Sequence, residues 1–186
     1  YRQELKADDA RLILEAGLNY DTTMCIWSDN KLYGNKLNDR IQEYSQATKV
    51  TPFLMPSIDQ LLARGITKIL WYDDISKIQQ IEKKLRETAL FHNVTFCTSK
   101  PFYLEFFSSK VSKATAIDRI GEIYGFTPAE TIAIGDGFND LSMIRHAALG
   151  AAMGNAPDGV KECADYITTR TNNQDGVAEV LEKFIL

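Results

Sequence analysis

Two carboxylates, one amide and two glycines fall within six residues, Gly135-Asp136-Gly137-Phe138-Asn139-Asp140. The apolar run Thr131-Ile132-Ala133-Ile134 leads into them, and the helix-compatible Leu141-Ser142-Met143-Ile144-Arg145 leads out. The polar group therefore sits where a short buried strand becomes a helix. In open α/β sheets ligands bind there, in the crevice beyond the strand carboxyl ends. Asp136, at the strand end, can offer a carboxylate oxygen to a hard cation such as Mg2+. Asp140, four residues on, can reach the same ion or a water bound to it, and Asn139 can donate its amide to a phosphate oxygen. The glycines permit tight backbone and close ligand approach. Asp136, Asn139 and Asp140 also suit capping of the following helix, but capping needs one such residue and three are present. The stretch reads as half of a magnesium–phosphate site.

Lys113 is the second candidate. It stands in the first turn of a helix, where a cation opposes the helix dipole and needs a compensating anion. As a compact point charge it suits a phosphoryl group. Alone it would read as a solvated lysine; with the acidic stretch downstream it reads as part of the site. Other polar residues carry less. Gly154-Asn155-Ala156-Pro157 either borders the same crevice or only turns into a helix, and Asn172-Asn173-Gln174-Asp175-Gly176 reads as a solvated loop. His92 and His146 share no metal-ligand spacing with a cysteine. Glu105, inside the strand Phe102–Phe107, could meet a substrate but reads first as a satisfied surface carboxylate.

The elements that must position these residues come in two rhythms. Up to about residue 108 the pattern predicts helices over Ala7–Leu18, Asn38–Thr48, Ser57–Arg64 and Ile75–Thr88, and a hairpin from Thr22–Trp27 to Leu32–Tyr33. Further strands are expected at Ile66–Tyr72, Val94–Thr98 and Phe102–Phe107. Pro52 and Pro56 read as breaks, and Asp73-Asp74 as a helix cap. Short connections between adjoining strands imply a mixed or antiparallel sheet with helices on one face. After Ser108-Ser109 the order becomes helix (Ser112–Tyr124, stopped by Gly125), strand (Thr131–Ile134), helix from Asn139, and strand (Ala147–Ala152). A helix (Ala156–Ala164), a short strand (Tyr166–Thr168) and a last helix (Val177–Phe184) complete it. Strand and helix alternating at this pitch predict a doubly wound parallel sheet. The expected fold class is α/β, with domains 1–108 and 109–186.

The chain has 186 residues and a net charge of −4, which argues against a nucleic-acid or membrane partner held by bulk electrostatics. No apolar run approaches the roughly 20 residues of a membrane span. Cys25, Cys97 and Cys163 are odd in number, far apart and without a C-x-x-C pair, which reads as reduced thiols in a cytoplasmic protein.

As a set, Lys113, Gly135 to Asp140, Ala152-Met153-Gly154-Asn155-Ala156 and Asp175-Gly176-Val177-Ala178 resemble the haloacid dehalogenase superfamily, in its Cof-like sugar-phosphate phosphatase branch. The first hundred residues resemble, by pattern, the α/β cap domain that this branch inserts in its Rossmann-like core. Ala114 stands where the family often has glycine, and Ser108-Ser109 where it often has a proline-glycine link. The resemblance implies a Mg2+-dependent phosphomonoesterase acting on a small phosphorylated metabolite through an aspartyl-phosphate. Lys113 would steady the phosphoryl charge, Asp136 would bind Mg2+, Asp140 would support the metal, and Asn139 would seat the phosphate. The family's nucleophile lies in an Asp-x-Asp-x-Thr motif on the first core strand, and no such motif occurs here. The expectation is a chain without its N-terminal segment, inactive alone. A non-catalytic module holding Mg2+ or a phosphorylated ligand, and a phosphomutase, are the rival readings.

Overall fold

The structure, a computed structural model, describes residues 2–88 and 91–186. The chain divides into two compact units, Tyr1–Lys110 and Val111–Leu186.

In the first unit, α1 (Ala7–Asn19) carries Asp8 and Asp9 in its first turn, where acidic side chains favour the helix dipole. β1 (Thr23–Ser28) and β2 (Lys31–Gly34) form the expected hairpin. Its two-residue loop, Asp29-Asn30, has φ of +49° and +57°, the positive values that a tight hairpin turn demands and that Asp and Asn tolerate. Asn38 caps α2 (Asp39–Thr48), accepting from the Ile41 N–H at 3.3 Å. β3 (Pro52–Leu54) and α3 (Ile58–Arg64) follow, then β4 (Ile66–Tyr72), α4 (Ile75–Thr88), β5 (Val94–Lys100) and β6 (Tyr103–Ser108). The sheet order is β3-β2-β1-β4-β6-β5, antiparallel except for the parallel pair β2–β3.

Alternation along the strands sorts side chains between two faces. Met24, Ile26, Ile69, Trp71, Leu104 and Phe106 are buried with residues of α1, α3 and α4. Cys25, Leu70 and Tyr103 alternate to the other face and pack with Ile41 and Tyr44 of α2. Two expectations change here. The helices do not all lie on one face, because Ile41 and Tyr44 give α2 an apolar stripe of its own for the second. The segment around Pro52 is a strand rather than a break, since at the start of an edge strand proline's missing N–H costs no ladder bond. Cys25, Cys97 and Cys163 are free thiols, and burial pushes that of Cys25 up to about 12. No helix among the described residues is long and apolar enough to cross a membrane.

The second unit begins with α5 (Lys113–Tyr124). The Ser112 hydroxyl caps it by accepting from the Thr115 N–H at 3.0 Å, and Gly125 ends it at a φ of +79°. β7 (Ile132–Gly135), a 3-10 turn at Phe138–Asp140, α6 (Leu141–Ile144), β8 (Leu149–Ala152), α7 (Asp158–Lys161), β9 (Tyr166–Ile167) and α8 (Gly176–Phe184) complete it. The strands run parallel in the order β7-β8-β9. Gly135 pairs with Ala152 and Ala152 with Ile167, so all three strands end level and release their loops on one side.

Two helices are shorter than the sequence pattern predicts. After α6 the Ala148 N–H donates to Pro128 O and the Leu149 N–H to Thr131 O, which draws the chain into β8 after one turn. After α7 the Cys163 and Ala164 N–H groups reach back three residues instead of four, and the Asp165 N–H bonds Gly150 O, turning the chain into β9.

Both tryptophans, Trp27 and Trp71, belong to the first unit. Phe106 is fully buried, its ring 4.5 Å from that of Trp71. Phe106→Ala is expected to cost about 3–5 kcal/mol of stability. Urea unfolding followed by tryptophan fluorescence reads this directly, and an unchanged midpoint would refute the packing role.

Candidate active site

The site grows from the end of β7. Asp140, on the 3-10 turn, is 4% exposed, and its carboxylate folds back over the strand end. Oδ2 accepts from the backbone N–H groups of Asp136 and Gly137, each at 3.0 Å. Oδ1 accepts from Lys113 Nζ at the start of α5. Such a close return requires Gly135. A Cβ there would lie 2.4 Å from Asp140 Cβ and 2.7 Å from Oδ2, so any larger residue would push the carboxylate off the loop. Burial pushes the Asp140 carboxyl up, but the Lys113 ammonium and the Gly137 and Asp136 N–H groups outweigh it. The carboxyl is held below its usual range.

Lys113 thus has the anion that its place in the first turn of α5 demands, and that anion is Asp140. Both Asp140 oxygens accept hydrogen bonds, Oδ1 from Lys113 and Oδ2 from the Asp136 and Gly137 N–H groups. Asp136, half-buried, is placed differently. Its Oδ2 accepts from Asn155 Nδ2 at 3.2 Å and Asn172 Nδ2 at 3.3 Å, while Oδ1 accepts no hydrogen bond from the described residues. Asn139 is exposed beside them.

Asn155, on the loop after β8, lies on the crevice that its stretch reads as either bordering or only turning past, and Asn172, on the loop after β9, joins it although its stretch reads as a solvated loop. No periodicity marks such residues. Level strand ends bring them together, and several bonds hold the two loops. The Asn172 N–H donates to Asn155 Oδ1 at 2.9 Å. The Gly154 N–H donates to Thr168 Oγ1 at 2.9 Å. Glu179, in the first turn of α8, accepts from the Thr169 N–H (2.8 Å), the Tyr166 hydroxyl (2.7 Å), the Thr169 hydroxyl (2.8 Å) and the Arg170 N–H (3.0 Å). Those donors, the Thr169 N–H first, hold its carboxyl at about 2. His146 pairs with Asp118 at 2.6 Å, away from this network. In the first unit Glu105 accepts from Lys68 (3.1 Å) and Ser99 (2.5 Å), the satisfied carboxylate expected. Among the described residues no three His, Cys, Asp or Glu side chains gather as a metal cluster.

Two outcomes follow from these carboxylates. Lys113→Met removes the ammonium from a buried anion, so the Asp140 carboxyl should rise. A carbon-13 NMR titration detects this, and an unmoved midpoint would show that Lys113 contributes nothing. Glu179 has a folded-state value below that of an ordinary glutamate, about 4.3. Its stabilisation is therefore complete above that range and is lost as pH falls toward about 2. The Thr169 and Arg170 amide resonances should shift with a midpoint near about 2, and a midpoint near about 4.3 would contradict the anchoring.

A haloacid dehalogenase-like hydrolase family model matches residues 1–181. A Haemophilus influenzae relative is 32% identical over 167 residues, which are 90% of this chain and 60% of that one. The 5-amino-6-(5-phospho-D-ribitylamino)uracil phosphatase YcsE of Bacillus subtilis is 47% identical over 88 residues, 47% of this chain and 35% of that one. The crystal structure of a haloacid dehalogenase-like hydrolase from Bacteroides thetaiotaomicron is similar at a TM-score of 0.79 and 30% identity, covering 98% of this chain and 68% of that one. The chain thus spans 60% of the length of its Haemophilus relative. On the family match, the relatives and the strand-end site together, the chain belongs to the haloacid dehalogenase-like hydrolases.

Proposed function

We propose that these residues supply the charge-positioning half of a Mg2+-dependent phosphomonoesterase acting on small phosphorylated metabolites of the sugar-phosphate class. The single observation that carries this is the contrast between Asp140, neutralised by Lys113 and locked to the loop, and Asp136, with one oxygen open at the strand end. A name such as that of the Bacillus subtilis relative, a phosphatase for a phosphorylated ribityl compound, supports the substrate class.

The donor chemistry fits magnesium. Mg2+ takes hard oxygen ligands, commonly one or two carboxylates with waters and substrate phosphate completing the octahedron. Asp136 Oδ1 would be this chain's carboxylate ligand. When bound, the ion would neutralise charge on the transferring phosphoryl group. Lys113, held by Asp140, would present a fixed ammonium to the same group, and Asn139 would donate to a phosphate oxygen. Asp140 acts through Lys113 and the loop backbone. The residues up to about 108 would serve as the cap that selects the leaving group.

Covalent phosphoryl transfer through an aspartyl-phosphate needs a carboxylate nucleophile placed in line. Asp136 is assigned to the ion and Asp140 to Lys113, and no Asp-x-Asp-x-Thr motif occurs in the chain, so on this reading the nucleophile would come from outside these 186 residues. The chain alone should bind without turnover. p-Nitrophenyl phosphate with Mg2+ should stay unhydrolysed by the wild-type chain, whereas hydrolysis should appear once a segment bearing Asp-x-Asp-x-Thr is joined to it. Asp136→Asn in the joined protein should then abolish the Mg2+-dependent rate. Turnover by the chain alone at an enzyme's rate would overturn the division of roles, and an undiminished rate in Asp136→Asn would overturn the metal role.

A further inference from the structure

The two carboxylates of the strand-end loop are held by donors of different charge. Asp140 meets an ammonium, which cancels its charge. Asp136 meets two neutral amides, Asn155 Nδ2 and Asn172 Nδ2, both on the same oxygen. Neutral donors orient a carboxylate without neutralising it, so Asp136 keeps its charge for a cation while losing its freedom to rotate. The two amides also favour one mode of binding. With Oδ2 occupied, Oδ1 is the oxygen presented, and a single-oxygen contact suits the octahedral demand of Mg2+ better than a chelating pair.

The asparagines are themselves fixed. The Asn172 backbone N–H donates to Asn155 Oδ1, which closes a ring of hydrogen bonds through Asp136, Asn155 and Asn172. The ring spans the loops that follow β7, β8 and β9. Its outer loop is tied down by Glu179 through the Thr169 and Arg170 N–H groups.

We propose that Asn155 and Asn172 are positioning residues of the cation site: their amides hold Asp136 Oδ2 so that Oδ1 alone is offered to a divalent ion. This rests on the metal role given to Asp136 above. Outer partners of metal ligands typically contribute 10–100-fold in metal affinity, and the same scale is expected here.

Mn2+ titration of this chain, followed by electron paramagnetic resonance, tests the idea without any turnover. The wild-type chain should bind Mn2+ saturably and Asp136→Asn should lose that binding. Asn155→Ala and Asn172→Ala should each weaken it by roughly tenfold or more and alter the zero-field splitting of the bound ion, which reports the arrangement of its oxygens. Both side chains are exposed, so truncation leaves the core intact, and thermal melting of each variant checks this. If Asp136→Asn loses Mn2+ while both alanine variants keep wild-type affinity and spectrum, the positioning role is overturned and the metal role of Asp136 stands. If Asp136→Asn binds like wild type, or the wild-type chain binds no Mn2+, the metal role fails and the positioning role with it.

Discussion

The return of the Asp140 carboxylate onto the end of β7 is the constraint from which the rest of the site follows. One buried carboxylate satisfies two backbone N–H groups of the loop and compensates Lys113 on α5. Left without its cation, a buried carboxylate costs several kcal/mol, so sequence changes at Lys113, Gly135 and Asp140 are coupled. Gly135 provides the space, Asp140 the charge, and Lys113 the countercharge. The loop between them is thereby held at both ends by hydrogen bonds to one side chain.

The same economy explains why Asp136 is available. Both carboxylates lie within one turn of chain, and if each faced a cation the loop would hold no carboxylate without a countercharge. Burial and the ammonium take one out of play. Neutral amides hold Oδ2 of the other and add no countercharge to it. Environment, and not residue type, gives two aspartates four residues apart different chemistry.

Much of this was legible in the sequence because it depends on local rules. Ser112 before α5, Gly125 after it, the apolar run of β7 and the glycine-flanked acidic stretch are short-range signals, and the need of Lys113 for an anion follows from its place in the first helical turn. Asn172 was not legible in this way, and Asn155 only as one of two readings of its stretch. They stand on loops 17 residues apart and gain a role only because Gly135, Ala152 and Ile167 end their strands level. Strand register is a non-local property, so it decides which loop residues reach a site where local pattern leaves the choice open. The same limit explains Pro52, whose tolerance depends on β3 being at the sheet edge, and α2, whose stripe of Ile41 and Tyr44 serves a second face of the sheet.

The short helices of the second unit belong to the same logic. Had α6 run on past Arg145, the chain would have left the sheet before the Ala148 and Leu149 N–H groups could bond Pro128 and Thr131. β8 would then begin later, and Ala152 would no longer stand level with Gly135. Asn155 would be displaced by about 3.3 Å for each residue of slip, which exceeds the tolerance of its bond to Asp136. The early termination of α6 therefore fixes the geometry of a hydrogen bond that lies beyond the next strand, and local helix propensity yields to it.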